Sequence, residues 1–128
     1  MNAQDFFDLC VGTMGINSSN ASTYQETYFP QLNTILSDVF YLENINREYK
    51  GLTPLTESQK VTSYSDVLVY QDNILRNVVL PGLVRLFFIN DDEFTKAGFW
   101  GTQYANAFVT EGKTVASDIV DYYGAEDE

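Results

Sequence analysis

The sequence predicts an all-α fold with four to five helices in a compact bundle. Apolar residues recur at three- and four-residue steps over most of the chain, and candidate helix caps precede several of these stretches. The length of 128 residues, 45% of them hydrophobic, allows one ordinary domain with a core of its own. We expect residues 1–120 to form this single helical domain and residues 121–128 to form an acidic C-terminal tail.

The first two helices are predicted from apolar stripes and their caps. Residues 3–14 form one such stripe, and Asn2 is a candidate N-cap, with Asp5 favourably placed in the first turn. A second stripe covers residues 24–46. Because proline lacks an amide hydrogen and clashes with the preceding turn, Pro30 predicts a short helix, a break or kink, and then a strong helix.

The second half of the chain predicts two further helical regions and one ambiguous stretch. Residues 61–70 contain β-branched residues and tyrosines with imperfect alternation, which leaves an extended loop and a short strand pair both open. A helix opens at Asp72 and is predicted to be interrupted at Pro81. The acids and the asparagine of residues 90–93 predict the start of a last helix, which runs to about residue 120.

Composition excludes several classes of site. The chain has no histidine, one cysteine and a net charge of −11, so it can form neither an internal disulfide nor a Ser–His or Cys–His pair, and zinc sites of the usual composition are excluded. The charge disfavours nucleic-acid binding.

Cys10 lies in an apolar stripe and is expected to be a buried side chain rather than a reactive thiol. The acids of residues 91–93 are consecutive, unlike calcium ligands, and helix capping explains them. We expect that the chain is not an enzyme and that it binds no cofactor or metal. A small enzyme that uses carboxylates for catalysis is the least favoured function.

Charge and aromatic content favour a binding role. Residues 1–46 and the last thirteen residues each carry five acids and no base, whereas six of the seven bases lie in residues 47–96. The nine tyrosines and nine phenylalanines exceed what one small core requires, and aromatic residues are enriched at protein interfaces. For each tyrosine, a half-buried ring with a hydrated hydroxyl is the competing interpretation. The candidate interface residues are Tyr64, Val67, Val69, Tyr70, Asp118, Asp121, Tyr122 and Tyr123.

No membrane segment or signal peptide is expected. The longest apolar stretch, residues 78–89, contains Pro81 and Arg85. It is about half the roughly 20 residues that span a bilayer. The first residues lack both a basic region and a long apolar run.

Several short motifs occur in a recognisable order along the chain. They are Tyr28-Phe29-Pro30, Leu32-Asn33-Thr34-Ile35-Leu36, Gly51-Leu52-Thr53-Pro54-Leu55, Tyr70-Gln71-Asp72-Asn73-Ile74-Leu75, Val79-Leu80-Pro81-Gly82-Leu83, and Asn90-Asp91-Asp92-Glu93 ahead of an aromatic helix with Tyr104. Over roughly residues 3–110 this order resembles the small all-helical head–tail connector (adaptor) proteins of tailed bacteriophages and prophages.

The resemblance implies a structural protein of the virion neck, made in the cytoplasm of the host bacterium. Such adaptors form a homo-oligomeric ring beneath the portal protein, extend the DNA channel and bind a tail-side neck or tail protein. DNA passes through the channel without specific binding, and an acidic wall would repel it and let it slide. The alternative function is an acidic DNA mimic that inhibits a nucleic-acid-binding protein. The net charge favours this alternative, whereas the concentration of acids at the two ends of the chain disfavours it.

Overall fold

The computed structural model describes residues 1–16 and 20–126, and it describes side chains for residues 1–16 and 20–112. The predicted all-α class is confirmed, with 72% of the chain helical. The helical elements are α1 (Ala3–Thr13), α2 (Ser22–Tyr49), α3 (Asp72–Ile74), a π-helical turn (Leu75–Val79), α4 (Leu80–Asn90) and α5 (Phe94–Glu126). Because α3, the π-helical turn and α4 follow one another without a break, the described residues form four helical segments.

A cluster of buried apolar side chains from these helices forms the core. Phe6 of α1, Tyr28 of α2 and Phe87 of α4 are fully buried in it. Burying one such side chain contributes about 1.5–3 kcal/mol. Cys10 is buried in the same cluster, and burial raises the pKa of its thiol far above the ordinary value. The thiolate is therefore disfavoured, as expected for a cysteine that acts as a small apolar side chain.

The predicted cap of α1 is confirmed. Asn2 Oδ1 accepts the amide hydrogen of Asp5 at 2.9 Å, and Asp5 Oδ2 accepts the amide hydrogen of Asn2 at 3.2 Å. This reciprocal pair is a capping box, which satisfies a helix amide that would otherwise lack an acceptor.

Of the break or kink predicted at Pro30, the break is wrong, because α2 runs through this residue without interruption. Pro30 is exposed, and so is Glu26, whose carbonyl loses its usual donor. Water can therefore hydrate that carbonyl. Tyr28 and Leu32 on either side of the proline are fully buried, so packing of the apolar stripe keeps the two halves of the helix together.

The predicted interruption at Pro81 is also wrong. The π-helical turn precedes it, and the amide of Leu80 donates to the carbonyl of Leu75, five residues earlier. Pro81 follows as the second residue of α4, and the helix continues although this residue has no amide hydrogen to donate. At Gly82 an added Cβ would lie 2.8 Å from Cε1 of Tyr104, so only glycine allows this close approach of α4 to α5.

A last helix begins directly after residues 90–93, as predicted, but its first turn holds none of the acids, because these residues end α4 and form a tight turn. Helix α4 continues through Asn90, and Asp92 takes a left-handed conformation with φ 58° before α5 begins at Phe94. The hydroxyl of Tyr24 donates to Asp91, which ties this turn to α2. Burial, together with that hydrogen bond, raises the pKa of Tyr24 to about 12.

Residues 61–70 form no strand pair in the described part of the chain. They belong to a loop, residues 50–71, which connects α2 to α3. An isolated antiparallel bridge pairs Val67 with Asn2. A strand pair needs two extended segments, and the partner segment ends where α1 begins at Ala3.

Candidate partner interface

Helix α2 holds the loop of residues 50–71 with two side-chain amides. Asn33 Nδ2 donates to the carbonyl of Val61 at 2.9 Å, and its Oδ1 accepts the Val61 amide hydrogen at 2.7 Å. Asn44 pairs in the same way with Leu55, at 2.9 and 2.8 Å. Each side chain thus pairs with a loop residue as a neighbouring strand would, and both pairs are partly buried. We refer to Asn33 and Asn44 as the asparagine anchors.

A buried ion pair fixes both ends of the loop. Glu43 is completely buried, accepts from Arg47 Nε at 2.5 Å and accepts the Gln71 amide hydrogen at 3.0 Å. Arg47 in turn donates to the carbonyl of Thr53 at 3.1 Å and to that of Val69 at 2.6 Å. Because each member of the pair also binds loop backbone, the loop and α2 form one connected polar network.

Tyr70, predicted as an interface residue, belongs to the core. Its side chain is 3% exposed, and its hydroxyl donates to the carbonyl of Leu36 in α2 at 2.5 Å. Burial raises the pKa of Tyr70. The prediction failed because the acceptor that permits burial of the hydroxyl lies in a distant part of the chain.

Tyr64, also predicted as an interface residue, is half-buried against the core. Its ring stacks on Tyr28 at a centroid distance of 5.8 Å and contacts Phe29 at 4.8 Å. Phe7 meets the same ring edge-on at 6.1 Å. Tyr64 therefore fits the competing interpretation of a half-buried ring, and part of its surface still faces solvent.

Val67 and Val69 are the predicted interface residues that lie on the surface. Their exposed fractions are 65% and 44%. They flank Leu68, which is buried, so the side chains of this segment alternate between solvent and core and both valines lie on the solvent side. The structure thus presents two neighbouring valines to solvent on an anchored loop.

The side chain of Gln59 lies along the edge of this segment that faces away from the N-terminal residues, which we call the outer edge. Its Nε2 donates to the carbonyl of Val67 at 2.7 Å, and its Oε1 accepts the Val69 amide hydrogen at 2.9 Å. The inner edge is bonded to the N-terminal segment, because Leu68 N–H donates to the carbonyl of Met1 at 3.0 Å. We refer to the two Gln59 hydrogen bonds as the Gln59 clasp.

The remaining predicted interface residues lie outside the residues whose side chains the structure describes. The backbone of α5 extends to Glu126, past the helix end expected near residue 120 and across the start of the predicted acidic tail. The residues concerned are Asp118, Asp121, Tyr122 and Tyr123.

A second exposed surface, which the interface prediction missed, lies on α5. No charged residue occurs between Lys96 and Glu111, in a chain with a net charge of −11. This stretch exposes Phe99 and Val109, with exposed fractions of 58% and 65%. The missing charges were the signal in the sequence. We refer to the following four exposed residues as the α5 outer face: Phe99, Thr102, Asn106 and Val109.

Among the described side chains, no group of three or more cysteine, aspartate and glutamate residues could hold a metal ion. Within the same residues, no helix has both the length and the apolar character needed to cross a membrane.

No family model matches the chain, and no curated protein or solved structure shows detectable similarity to it.

Proposed function

We propose that the chain is a head–tail connector (adaptor) of a tailed bacteriophage, a structural protein that forms a ring beneath the portal protein in the virion neck. The observation that supports this best is the presence of two separate exposed surfaces without charged side chains on one acidic helical chain. One consists of Val67 and Val69 on the anchored loop, and the other is the α5 outer face.

A connector needs contacts in two directions. Subunits of a ring bind their lateral neighbours, and the ring as a whole binds the portal on one side and a tail-side neck or tail protein on the other. We assign the uncharged α5 outer face to the lateral contact, because copies with a net charge of −11 meet there without bringing carboxylates together. We assign Val67 and Val69 to the contact with an axial partner, that is, a protein bound above or below the ring.

The acidic surface fits a channel through which DNA passes without specific binding. Asp5 and Asp8 on α1, with Glu26 and Asp38 on α2, are all exposed. Carboxylates that face the channel would repel phosphates, whereas lysines and arginines would bind them and slow DNA passage.

Immunoelectron microscopy of virions that carry a tagged copy of the protein tests this function. We expect label at the neck, between head and tail, and label at any other position would overturn the proposal. We also expect Phe99→Glu to reduce incorporation into virions at least severalfold, because it places a charge in the lateral contact. Tyr41→Glu is the matched control, since Tyr41 is an exposed aromatic residue on α2 and its replacement should leave incorporation unchanged.

The DNA-mimic alternative predicts a different result. The purified chain would compete with DNA for a basic protein, and the competition would disappear as salt is raised. Virions without label, combined with such competition, would replace the connector proposal by this alternative.

A further inference from the structure

We infer that the outer edge of the Val67–Val69 segment is a docking strand, to which an extended segment of a partner protein adds by displacing the Gln59 clasp. The inference deepens the proposed function, because it names how the loop would hold an axial partner. It rests on that function only for the place of the partner in the virion neck.

The hydrogen-bond directions of this segment identify the edge. In an extended chain, alternate residues direct their backbone groups to opposite sides. Asp66 and Leu68 bond to the N-terminal segment, through Ala3 N–H to Asp66 O at 2.9 Å and Leu68 N–H to Met1 O at 3.0 Å. The carbonyl of Val67 and the amide of Val69 bond to the clasp on the other side, whereas the carbonyl of Val69 accepts from Arg47 of α2.

The clasp shows what kind of group this edge binds. The side-chain amide of Gln59 supplies one N–H donor and one C=O acceptor to the carbonyl of Val67 and the amide of Val69. A residue of an adjacent strand presents its N–H donor and its C=O acceptor to the same edge, and strand addition uses this pairing. The edge is therefore already arranged to bind a polypeptide backbone.

The position of the clasp makes it replaceable. Both of its hydrogen bonds are exposed to solvent, and Gln59 belongs to the same loop as the edge that it covers. The asparagine anchors, in contrast, reach from α2 and are partly buried. Water can satisfy the groups that a displaced Gln59 leaves behind, so exchange for a strand loses little hydrogen bonding.

Charge and side-chain pattern define the occupant. The loop of residues 50–71 carries two bases and two acids, so this surface has no net charge in a strongly acidic chain. Val67 and Val69 share one exposed face, which favours apolar side chains at alternate positions of an added strand. The occupant is thus a neutral or basic extended segment with alternating apolar residues.

A different protein, rather than a second copy of this chain, supplies that segment. Over residues 1–16 and 20–126, most of the chain is helical, and residues 50–71 are anchored to α2, so a copy offers no long free extended segment among these residues.

The probe for the test is the acetylated and amidated peptide KVTVTVTK, titrated into the ¹⁵N-labelled full-length protein. We expect shifts of the Val67 and Val69 amide resonances in NMR spectra. Gln59→Ala should bind this peptide about twofold more tightly, because the variant lacks the two competing hydrogen bonds. The matched control is Glu57→Ala, an exposed neighbour in the same loop, which should bind like the unaltered chain.

A second peptide distinguishes strand addition through backbone hydrogen bonds from binding through apolar side-chain contacts alone. It has the same side chains, but its valine nitrogens are methylated, so it presents no donor to the edge at those positions. We expect its binding to be lost, and equal binding of the two peptides would overturn the inference. Val69→Pro should abolish binding of the first peptide, and the methylated peptide still decides the question if that variant fails to fold.

Other outcomes also count against the inference. Absence of Val67 and Val69 shifts at millimolar peptide in Gln59→Ala would overturn it. Concentration-dependent dimerisation of Gln59→Ala through this edge, without peptide, would show that a second copy is the occupant and would overturn the assignment to another protein. The titration uses no virions, so its failure and a failure of the neck labelling are distinguishable.

Discussion

The loop of residues 50–71 is held by the same chemical group in two different settings. The asparagine anchors and the Gln59 clasp each pair a side-chain amide with backbone groups of the loop. The anchors are partly buried and reach from α2, whereas the clasp is exposed and lies within the loop. Loss of a buried hydrogen bond leaves a group unsatisfied, whereas water replaces an exposed one.

This difference separates what fixes the loop from what can open. The anchors, together with the Glu43–Arg47 pair, hold the loop in position on α2. The clasp covers an edge that would otherwise offer backbone groups to another chain, and exposed strand edges invite such pairing. A fixed loop with a replaceable edge suits partner binding, since little ordering is required when the partner arrives.

The largest expected effect comes from the buried ion pair. Glu43→Ala leaves the Arg47 guanidinium without its carboxylate and the Gln71 amide without its acceptor. We expect the free energy of unfolding to fall by about 3–5 kcal/mol, as when one partner of a buried pair is removed. Urea denaturation measures this change.

Two further variants sharpen that result. Glu43→Gln keeps an acceptor for the Gln71 amide and should destabilise less than Glu43→Ala. Glu48→Ala removes an exposed acid of the same helix and should leave stability unchanged. Equal stability of Glu43→Ala and Glu48→Ala would contradict the role of the pair in fixing the loop.

A smaller effect is expected at the asparagine anchors. Asn33→Ala leaves the Val61 amide and carbonyl without partners in a partly buried site. We expect a loss of about 1–3 kcal/mol, with Asn44→Ala similar. Hydrogen exchange at the Val61 and Leu55 amides should accelerate correspondingly. Ser37→Ala, an exposed position on α2, is the control, and unchanged exchange in both asparagine variants would refute the anchoring.

The fold class and the first cap could be predicted because local sequence determines them. Asn2 and Asp5 are three residues apart, and the apolar stripes follow the helical period. The breaks that a local rule predicts at Pro30 and Pro81 are absent, because packing of the core and a π-helical turn keep the chain helical.

The candidate site depended on contacts that no local pattern encodes. Tyr70 is buried because its hydroxyl reaches Leu36, and Val61 is held because Asn33 lies opposite it. Periodicity cannot reveal pairs so far apart in sequence. The exposure of Val67 and Val69 follows from the position of the anchored loop, which no local pattern in the sequence gives.

The smallest expected effect on stability is at the Gln59 clasp, and it tests the comparison most directly. Gln59→Ala removes two hydrogen bonds, as Asn33→Ala does, but water can replace both at the exposed edge. We expect a loss of no more than about 0.5 kcal/mol, together with faster hydrogen exchange at the Val69 amide and unchanged exchange at Val61. A loss as large as that of Asn33→Ala would show that the clasp also fixes the loop. The outer edge would then be a structural element of the loop, and strand addition would have to displace a contact on which the fold depends.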